Sequence, residues 1–428
     1  MAVTVDSTPV GAGAELSSRA AAEAYIGGVC FKQGPPRLIG AELEWLTARV
    51  ESSASDSRPN LAVLADALGP YAPRSISPDS PASELPGGSR ITLEPGGQIE
   101  LSSTPCDDAT QLCRRLREDS RFLDRLLGKH SIRMISAAAD ADRRARRLLR
   151  LPRYRAMERC FAGIGPYGKL MMCNTAATQV SVDAGGDRSE IAARWNALYT
   201  IGPALVAAFA CSPRLHGAPA GTWASQRMRT WLRLDHTRTR PPVHSWADPV
   251  GEYGRWALDV PLLCVRATGA QGDGEADWAA PPGASFADWL CGALDEEVGR
   301  RPESADLDYH LTTIFPPVRA CGHLEVRYLD AQPGDQWEVP IHVIDALMSS
   351  PEVIAQAHRI AEPVADHWAQ AARCGLRDNE IRSAAVDLLT LAAENAGTGA
   401  AADQVAAAAR RCRRGRAPGD GVEMTAGQ

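Results

Sequence analysis

Four short segments of the chain alternate polar and apolar residues, and this period of two predicts β-strands with one polar face. They are IGAELEWL (39–46), QIELS (98–102), TAATQVSVD (175–183) and HLEVRYL (323–329). A single polar-faced strand usually lies at a solvent-exposed edge, but four of them favour one sheet with an acid-lined concave face. The polar positions are Glu42, Glu44, Gln98, Glu100, Ser102, Gln179, Ser181, Asp183, Glu325 and Arg327, with Glu94 just before a Pro-Gly-Gly turn.

Helical periodicity fills much of the remaining chain. Asp107 and Asp108 are suitable N-caps for a helix through Leu127, whose leucines recur at intervals of three and four. Residues 189–210 and a segment around 381–392 show the same period. The sequence therefore predicts a mixed α+β fold, in which helices cover the apolar side of the sheet.

Composition and charge narrow the choice of partners. The chain has 428 residues and a formal net charge of −6, so neither nucleic acid nor an anionic membrane is an expected partner. No apolar run approaches the ~20 residues that span a bilayer, and the N-terminus lacks the features of a secretory signal. Eleven cysteines without CxxC spacing indicate reduced thiols, so we expect a cytoplasmic protein.

The acid-lined face predicts a metal site. Converging carboxylates repel one another, and hard divalent cations are their usual compensation. Magnesium takes about six oxygens near ~2.1 Å, from carboxylates, water and substrate phosphates. The five glutamates at 42, 44, 94, 100 and 325, with Gln179 as a neutral oxygen, are enough for two or three such ions, which suits a nucleoside triphosphate as substrate.

Three other motifs were weighed as binding sites. The segment GIGPYGKL (163–170) approaches a P-loop, but Leu170 replaces the metal-binding hydroxyl and the next residues predict a strand, so we exclude it. The run RRARRLLRLPRYR (143–155) is typical of a solvated helix more than of a nucleic-acid site. The spacing of Arg227, Trp231, Asp235 and Arg238 fits either an anion-binding face or a surface helix with salt bridges.

Taken together, the motifs resemble the plant-type glutamate–cysteine ligase family. The matching segments are GAELE (40–44), EPGGQIELS (94–102), MMCNTAATQVSVD (171–183), the arginine- and tryptophan-containing run at 227–239, HLTTIFPPVR (310–319) and LEVR (324–327), with PRYRAM (152–157) and AAFACSP (207–213) in addition. They cover about residues 20–395, and within the family the chain is most similar to the actinobacterial members that open ergothioneine biosynthesis.

The resemblance implies a glutamine-synthetase-like fold with a curved, mostly antiparallel sheet. It also implies the reaction of ATP, L-glutamate and L-cysteine to γ-glutamylcysteine, ADP and phosphate through a γ-glutamyl phosphate, with two or three Mg²⁺ ions. No obligate protein partner is expected. The implied metal ligands are Glu42, Glu44, Glu94, Glu100, Gln179 and Glu325. The implied catalytic residues are Arg227 and Arg327, the substrate-binding residues are Arg227, Trp231, Asn174 and Thr178, and the ATP-binding residues are Arg238 and Arg319.

The chain departs from the family where LE-x-R usually continues as Gly-Ala-Asp, because it has Tyr328-Leu329-Asp330 there. This leaves the cysteine pocket open at this stage. Three rival functions also remain: a ligase of the same fold with another amine or acid substrate, a two-metal phosphohydrolase, and a non-catalytic metal- or nucleotide-binding protein. For the domains, we expect disorder at 1–13, a single catalytic domain at 14–395 with a flexible loop at 267–284, and a helical and then disordered tail at 396–428.

Overall fold

The computed structural model describes residue 16 and residues 18–34, 37–50, 57–240, 245–266, 277–397 and 399–420. The predicted N-terminal tail (1–13), the first ten residues of the predicted loop (267–276) and the end of the chain (421–428) lie outside this described part. Within it, no helix combines the length and the apolar character needed to cross a membrane. The division into one domain with two tails stays a prediction.

In the described part of the chain, seven strands form one sheet, and neighbouring strands run antiparallel. Their spatial order is β2-β3-β1-β5-β7-β6, while β4 pairs with the second half of β1. The strands are β1 (Ile39–Arg49), β2 (Arg90–Leu93), β3 (Ile99–Ser102), β4 (Ile132–Ile135), β5 (Ala177–Val182), β6 (Val318–Ala320) and β7 (Leu324–Asp330).

Helices make up most of the remaining described chain, which confirms the predicted α+β class. They are α1 (Arg19–Cys30), α2 (Leu61–Leu68), α3 (Ala109–Gly128), α4 (Pro152–Ala162), α5 (Tyr167–Asn174), α6 (Arg188–Thr200), α7 (Gly202–Phe209), α8 (Gln226–Arg233), α9 (His236–Thr239), α10 (Pro249–Asp259), α11 (Phe286–Cys291), α12 (Asp295–Val298), α13 (Ser304–Leu311), α14 (Glu338–Leu347), α15 (Pro351–Ala361), α16 (Trp368–Cys374), α17 (Asn379–Asn395) and α18 (Ala400–Arg413).

The register of the central strands gathers the predicted polar side chains on one face of the sheet. Glu42 on β1 lies opposite Gln179 on β5 and Ser102 on β3. Glu44 lies opposite Glu100. Because side chains directly opposite each other in an antiparallel pair share a face, the strand register itself brings these groups together.

A bulge interrupts the pairing of β5 with β7. Thr178 pairs with Leu329 and Val180 pairs with Val326, so Gln179 alone faces both Arg327 and Tyr328. Such an extra residue reverses the alternation of the strand beyond it. Asp330 is therefore on the polar face together with Arg327, whereas uninterrupted alternation would put the two residues on opposite faces.

The opposite face of the sheet is apolar and is covered by helices. Leu43, Val180 and Val326 belong to the main hydrophobic core. Helices α3, α7 and α14 pack against β1, β7 and β5 respectively. All eight residues of α7 are buried. Burial of apolar surface from both layers, at about 25 cal/mol per Å², is what holds the sheet in place.

Three secondary-structure predictions were wrong, at 170–174, at 189–210 and in the arginine-rich run at 143–155. Residues 170–174 lie in helix α5, although we predicted a strand, and Lys169 pairs with Glu158 at 2.8 Å. The P-loop near-match therefore does precede a helix, and the missing hydroxyl at Leu170 is the remaining ground for excluding it. The predicted helix at 189–210 is two helices, α6 and α7, because Pro203 cannot donate the backbone hydrogen bond that a continuous helix requires.

The arginine-rich segment before Pro152 is not the solvated helix that we expected. Residues 144–151 have no regular structure, and Leu148 N and Leu149 N both donate to the Pro95 carbonyl. Arg143 is buried, donates to the Asp140 carboxylate at 2.7 Å, and reaches the Thr47 carbonyl. Arg58 binds the same carboxylate at 3.0 Å. One buried aspartate therefore anchors this segment beside β1.

We predict that Asp140→Asn destabilises the fold, because two largely buried guanidinium groups lose a shared negative charge. The free energy of unfolding should fall by about 3 kcal/mol. Urea titration followed by circular dichroism measures the loss. Asp142→Asn is the matched control, since Asp142 is exposed and only two residues away. Equal stability of the two variants would contradict the role of Asp140 as an anchor.

Candidate active site

A cavity opens on the polar face of the sheet. Carboxylates from β1 and from the β2–β3 turn line one side of it, and arginine and aromatic side chains line the other. The lining residues are Glu44, Glu94, Pro95, Arg153, Tyr154, Met157, Met171, Met172, Thr175, Arg227, Trp231, Phe315 and Arg327. The cavity thus joins a negative wall to a positive wall.

The negative wall is a compact carboxylate cluster. One carboxylate oxygen from each of Glu44, Glu94 and Glu100 lies within 4.8 Å of the other two. Glu100 is buried and accepts a short hydrogen bond from Thr92 through one oxygen, while its Oε2 accepts none from the described residues. Gln179 donates to Glu42 at 3.0 Å and to Glu44 at 3.2 Å, and its own Oε1 is also buried without a donor in the described chain.

These oxygens fit a hard divalent cation. A buried acceptor without a donor is costly, and a cation that it ligates removes that cost. Burial, together with the neighbouring charges of Glu100 and Glu325, raises the pKa of Glu42 well above its ordinary value. Burial and Glu100 likewise raise the pKa of Glu44. The carboxylates of this cluster therefore repel one another strongly, and a bound divalent cation would relieve that repulsion.

The turn between β2 and β3 positions Glu94 for this cluster. Glu94 N donates to the Gln98 carbonyl, and Gly97 closes the turn with a φ of 86°, which favours glycine. A Cβ on Gly96 would overlap the Cys173 carbonyl at the end of α5. The Pro-Gly-Gly sequence is therefore required both by the turn and by its close contact with α5.

Glu325 has a different environment from the other acids. Arg319 lies 2.9 Å from its Oε2, and Arg327 makes a short contact with the same oxygen. Although burial opposes ionisation, Arg319 and Arg327 hold the pKa of Glu325 below its ordinary value. Arginines of the chain thus already compensate Glu325, whereas no ion pair within the described residues involves Glu44 or Glu100.

The positive wall unites three residues that the sequence analysis singled out. Helix α8 starts after the N-cap Ser225 and carries Arg227 and Trp231. The guanidinium carbons of Arg227 and Arg327 lie 5.8 and 5.6 Å from the Trp231 ring centroid. Arg227 also donates to the Arg327 carbonyl at 2.7 Å. Two cations therefore lie against one indole ring, a geometry suited to a carboxylate or phosphate ligand.

Asp330 supports this wall, and the sequence analysis missed its role. It is buried, accepts hydrogen bonds from the Ser212 and Ser225 hydroxyls at 2.7 and 2.8 Å, and lies 3.9 Å from Arg227 Nη1. Burial raises its pKa, and Arg227 opposes that shift. The bulge in β7 hid the signal, because uninterrupted alternation assigns Asp330 to the core face.

Arg238, Asn174 and Thr178, which were predicted as site residues, instead make structural contacts away from the cavity. Arg238 is fully buried and donates to Asp235, Thr313 and Pro261, since α8 ends at Arg233 and the chain turns before α9. Its guanidinium is thus taken up by contacts within the protein, and its role toward ATP stays a prediction. Asn174 is buried, accepting from Arg58 and donating to the Arg143 carbonyl. Thr178 pairs with Leu43 and Leu329 and so shares the apolar face of the sheet.

Several cavity residues carried no role in the sequence analysis. They lie in motifs quoted for the family resemblance: Arg153, Tyr154 and Met157 in PRYRAM, Met171 and Met172 in MMCNTAATQVSVD, and Phe315 in HLTTIFPPVR. Arg153 itself donates to the Thr312 hydroxyl and carbonyl, each at 2.7 Å. These motifs were the available signal, but nothing in their spacing showed which side chains reach the cavity.

Comparison with known proteins gives consistent matches. Residues 38–424 match the family described as glutamate-cysteine ligase family 2. The glutamate–cysteine ligase EgtA of Mycolicibacterium smegmatis is 36% identical over 385 residues, which is 89% of this chain and 86% of that protein. EgtA of Mycobacterium tuberculosis is 34% identical over 90% of this chain and 85% of its own length. The chloroplastic glutamate–cysteine ligase of Medicago truncatula is 30% identical, over 58% of this chain and 48% of that protein.

Similarity to solved structures is lower. A glutamate–cysteine ligase of Francisella tularensis in complex with AMP has a TM-score of 0.43 at 14% identity, covering 89% of this chain and 82% of that one. A bifunctional glutathione synthetase of Pasteurella multocida has a TM-score of 0.47 at 12% identity, covering 91% and 48%. The family match spans most of the chain, and the two EgtA relatives are similar over about nine-tenths of it. This chain therefore belongs to glutamate-cysteine ligase family 2.

Proposed function

We propose that this chain joins the γ-carboxylate of L-glutamate to the amine of L-cysteine with hydrolysis of ATP, giving γ-glutamylcysteine, ADP and phosphate. We place this reaction at the first step of ergothioneine biosynthesis. The observation that carries the proposal is the pairing, in one cavity, of a compact carboxylate cluster with a wall of arginine and tryptophan. Family membership and the similarity to two EgtA proteins support it.

The negative wall of the cavity would hold the metal ions. Glu44, Glu94 and Glu100 supply one set of oxygens, and Glu42 with Gln179 lies beside them, which is sufficient for two or three Mg²⁺ ions. When bound, the metal would neutralise the phosphates of ATP and the charge that develops during phosphoryl transfer. Glu325 differs from the other ligands that the resemblance implied, since arginines already contact its carboxylate.

The positive wall of the cavity would bind the negatively charged groups of glutamate and ATP. Arg227 lies between Trp231 and Asp330, and we assign it to the α-carboxylate of glutamate. Arg327, fixed by Glu325 and stacked against the same indole, would face the transferring phosphate, and Arg319 would approach ATP from the neighbouring strand β6. Fixed guanidinium groups stabilise negative charge without reorganising during the reaction.

The bond changes follow from the substrates. A γ-carboxylate oxygen of glutamate attacks the γ-phosphorus of ATP, and ADP leaves. The cysteine amine then attacks the γ-carbon of the acyl phosphate, and phosphate leaves with one oxygen that came from glutamate. In a two-metal phosphohydrolase the nucleophile would be water, so the origin of that oxygen separates the two functions.

We predict that glutamate carrying ¹⁸O in its side-chain carboxylate transfers one label to the released phosphate in the presence of ATP, Mg²⁺ and cysteine. Mass spectrometry of the phosphate measures the transfer. Replacing cysteine by 2-aminobutyrate should preserve it, because the amine and not the thiol is the nucleophile. An active preparation that releases only unlabelled phosphate would refute the acyl-phosphate mechanism and favour the phosphohydrolase.

For the negative wall, we predict that Glu100→Gln lowers kcat by about 10²-fold or more while the circular dichroism spectrum is retained. The change removes the charge of a metal ligand and leaves the side-chain volume nearly the same. Steady-state ADP release measures kcat. The control is Glu84→Gln, which alters an exposed glutamate paired with Arg90. If Glu100→Gln turned over like the control at saturating Mg²⁺, Glu100 would not be a metal ligand.

For the arginine wall, we predict that Arg227→Lys raises the KM for glutamate by about tenfold and changes the KM for ATP much less, because lysine cannot form a bidentate pair with a carboxylate. Arg233→Lys on the exposed side of the same helix is the control. Steady-state kinetics with each substrate varied in turn measure the two KM values. Equal weakening toward both substrates would place Arg227 at the phosphates.

A further inference from the structure

A second group of metal-binding side chains lies where β6 turns into β7. Within the described residues, only two clusters bring three or more cysteine, histidine or acidic side chains close together. One is the carboxylate cluster of the cavity. The other consists of Cys321, His323 and Glu325, of which Cys321 and His323 have no part in the ligase reaction described above.

The local sequence Cys-Gly-His-Leu-Glu explains this convergence. Gly322 has a φ of 86° and forms the turn, and Cys321 N donates to the His323 carbonyl across it at 3.0 Å. Gly322 N donates to the Cys30 carbonyl, which fixes the turn to the end of α1. Residues 323 and 325 then share a face of the strand, because alternate side chains along a strand point the same way.

The distances between the donor atoms suit a tetrahedral ion. Cys321 Sγ lies 3.4 Å from His323 Nε2, and both lie within 4.8 Å of a Glu325 carboxylate oxygen. With Zn–S near 2.3 Å and Zn–N near 2.1 Å, tetrahedral coordination separates the sulfur and nitrogen by about 3.6 Å. Cys321 and His323 thus have nearly the required spacing, and the carboxylate needs only a small side-chain adjustment.

The donor chemistry selects a different ion from that of the cavity. The cavity cluster offers oxygens alone, which suit Mg²⁺. A thiolate, an imidazole and a carboxylate instead suit Zn²⁺, and Mg²⁺ competes poorly for sulfur and nitrogen. Cys321 is exposed and Glu325 is buried, so an ion that enters from solvent at the thiol would reach a side chain of the polar sheet face.

We propose that Cys321, His323 and Glu325 form a zinc site, with water as the fourth ligand, and that zinc bound there inhibits the ligase. Inhibition follows from the other contacts of Glu325. Its carboxylate holds Arg319 and Arg327, and Arg327 stacks on Trp231 in the cavity wall. A zinc ion that shares this carboxylate weakens its hold on both arginines. The inhibitory effect rests on the proposed ligase function, whereas zinc binding does not.

Cobalt titration of the full chain tests the binding. Co²⁺ replaces Zn²⁺ in such sites, and a thiolate ligand gives a charge-transfer absorption in the near ultraviolet. We expect this band to saturate at a single ion per chain, to disappear on addition of Zn²⁺, and to persist in excess Mg²⁺. Cys321→Ser and His323→Gln should each abolish it. Cys291→Ser, which alters another exposed cysteine, should retain it.

Absence of the band in the wild type, or an unchanged band in Cys321→Ser, would overturn the site.

For inhibition, ADP release at saturating Mg²⁺ is measured with increasing Zn²⁺. The wild type and Cys291→Ser should lose activity and recover it with chelator, while Cys321→Ser should need at least about tenfold more Zn²⁺. Equal sensitivity of all three proteins would overturn the inhibitory role. If the chain showed no ligase activity, the proposed function would fail, and the cobalt titration would still decide the site.

Discussion

Repulsion among carboxylates on one sheet face is the constraint on which the rest of this structure depends. The antiparallel register puts Glu44 opposite Glu100 and places Glu42 beside them, and Glu94 approaches from the adjoining turn. Burial and mutual repulsion raise the pKa of Glu42 and of Glu44. Such an arrangement is unfavourable for folding, so the apolar face must contribute more than the polar face costs. Helices α3, α7 and α14 supply that contribution by burying the opposite side of the sheet.

The protein compensates its acids in two different ways. On β7, Glu325 is held by Arg319 and Arg327, and the positive charge comes from the chain itself. Near Glu44, Glu100 Oε2 and Gln179 Oε1 are buried without a donor in the described chain, and a cation from solution would compensate them. The cavity between these regions can therefore hold metal-bound phosphates at one side and a free carboxylate at the other. A carboxylate–amine ligase that uses ATP needs both.

Residues outside the cavity hold the side chains of the positive wall in position. Asp330 accepts from two serine hydroxyls and lies beside Arg227, so a group from β7 orients a side chain from α8. The bulge that turns Asp330 to the polar face also leaves Gln179 opposite Arg327 and Tyr328. The bulge thus positions side chains in both walls of the cavity, because Gln179 in turn donates to Glu42 and Glu44. A single residue inserted or deleted here would reverse these orientations.

The sequence by itself determined which strands carry the site and which side chains face it. The period of two is a local property of the backbone, so it correctly grouped Glu42, Glu44, Glu100 and Gln179 before any partner strand was known. The same alternation, applied consistently, would also have placed Thr178 on the apolar face. The N-cap at Asp108 is another local feature that the sequence predicted correctly.

Only the tertiary structure decided which polar residues are structural. Asn174 and Arg238 use their hydrogen-bonding groups on partners as distant in the chain as Arg58 and Thr313, and no local pattern contains that information. Buried Arg143, inside an arginine-rich run, was indistinguishable from its solvated neighbours until the fold brought Asp140 and Thr47 to it. Alternation depends on the backbone of one segment, whereas burial and charge compensation depend on what the rest of the chain places next to it.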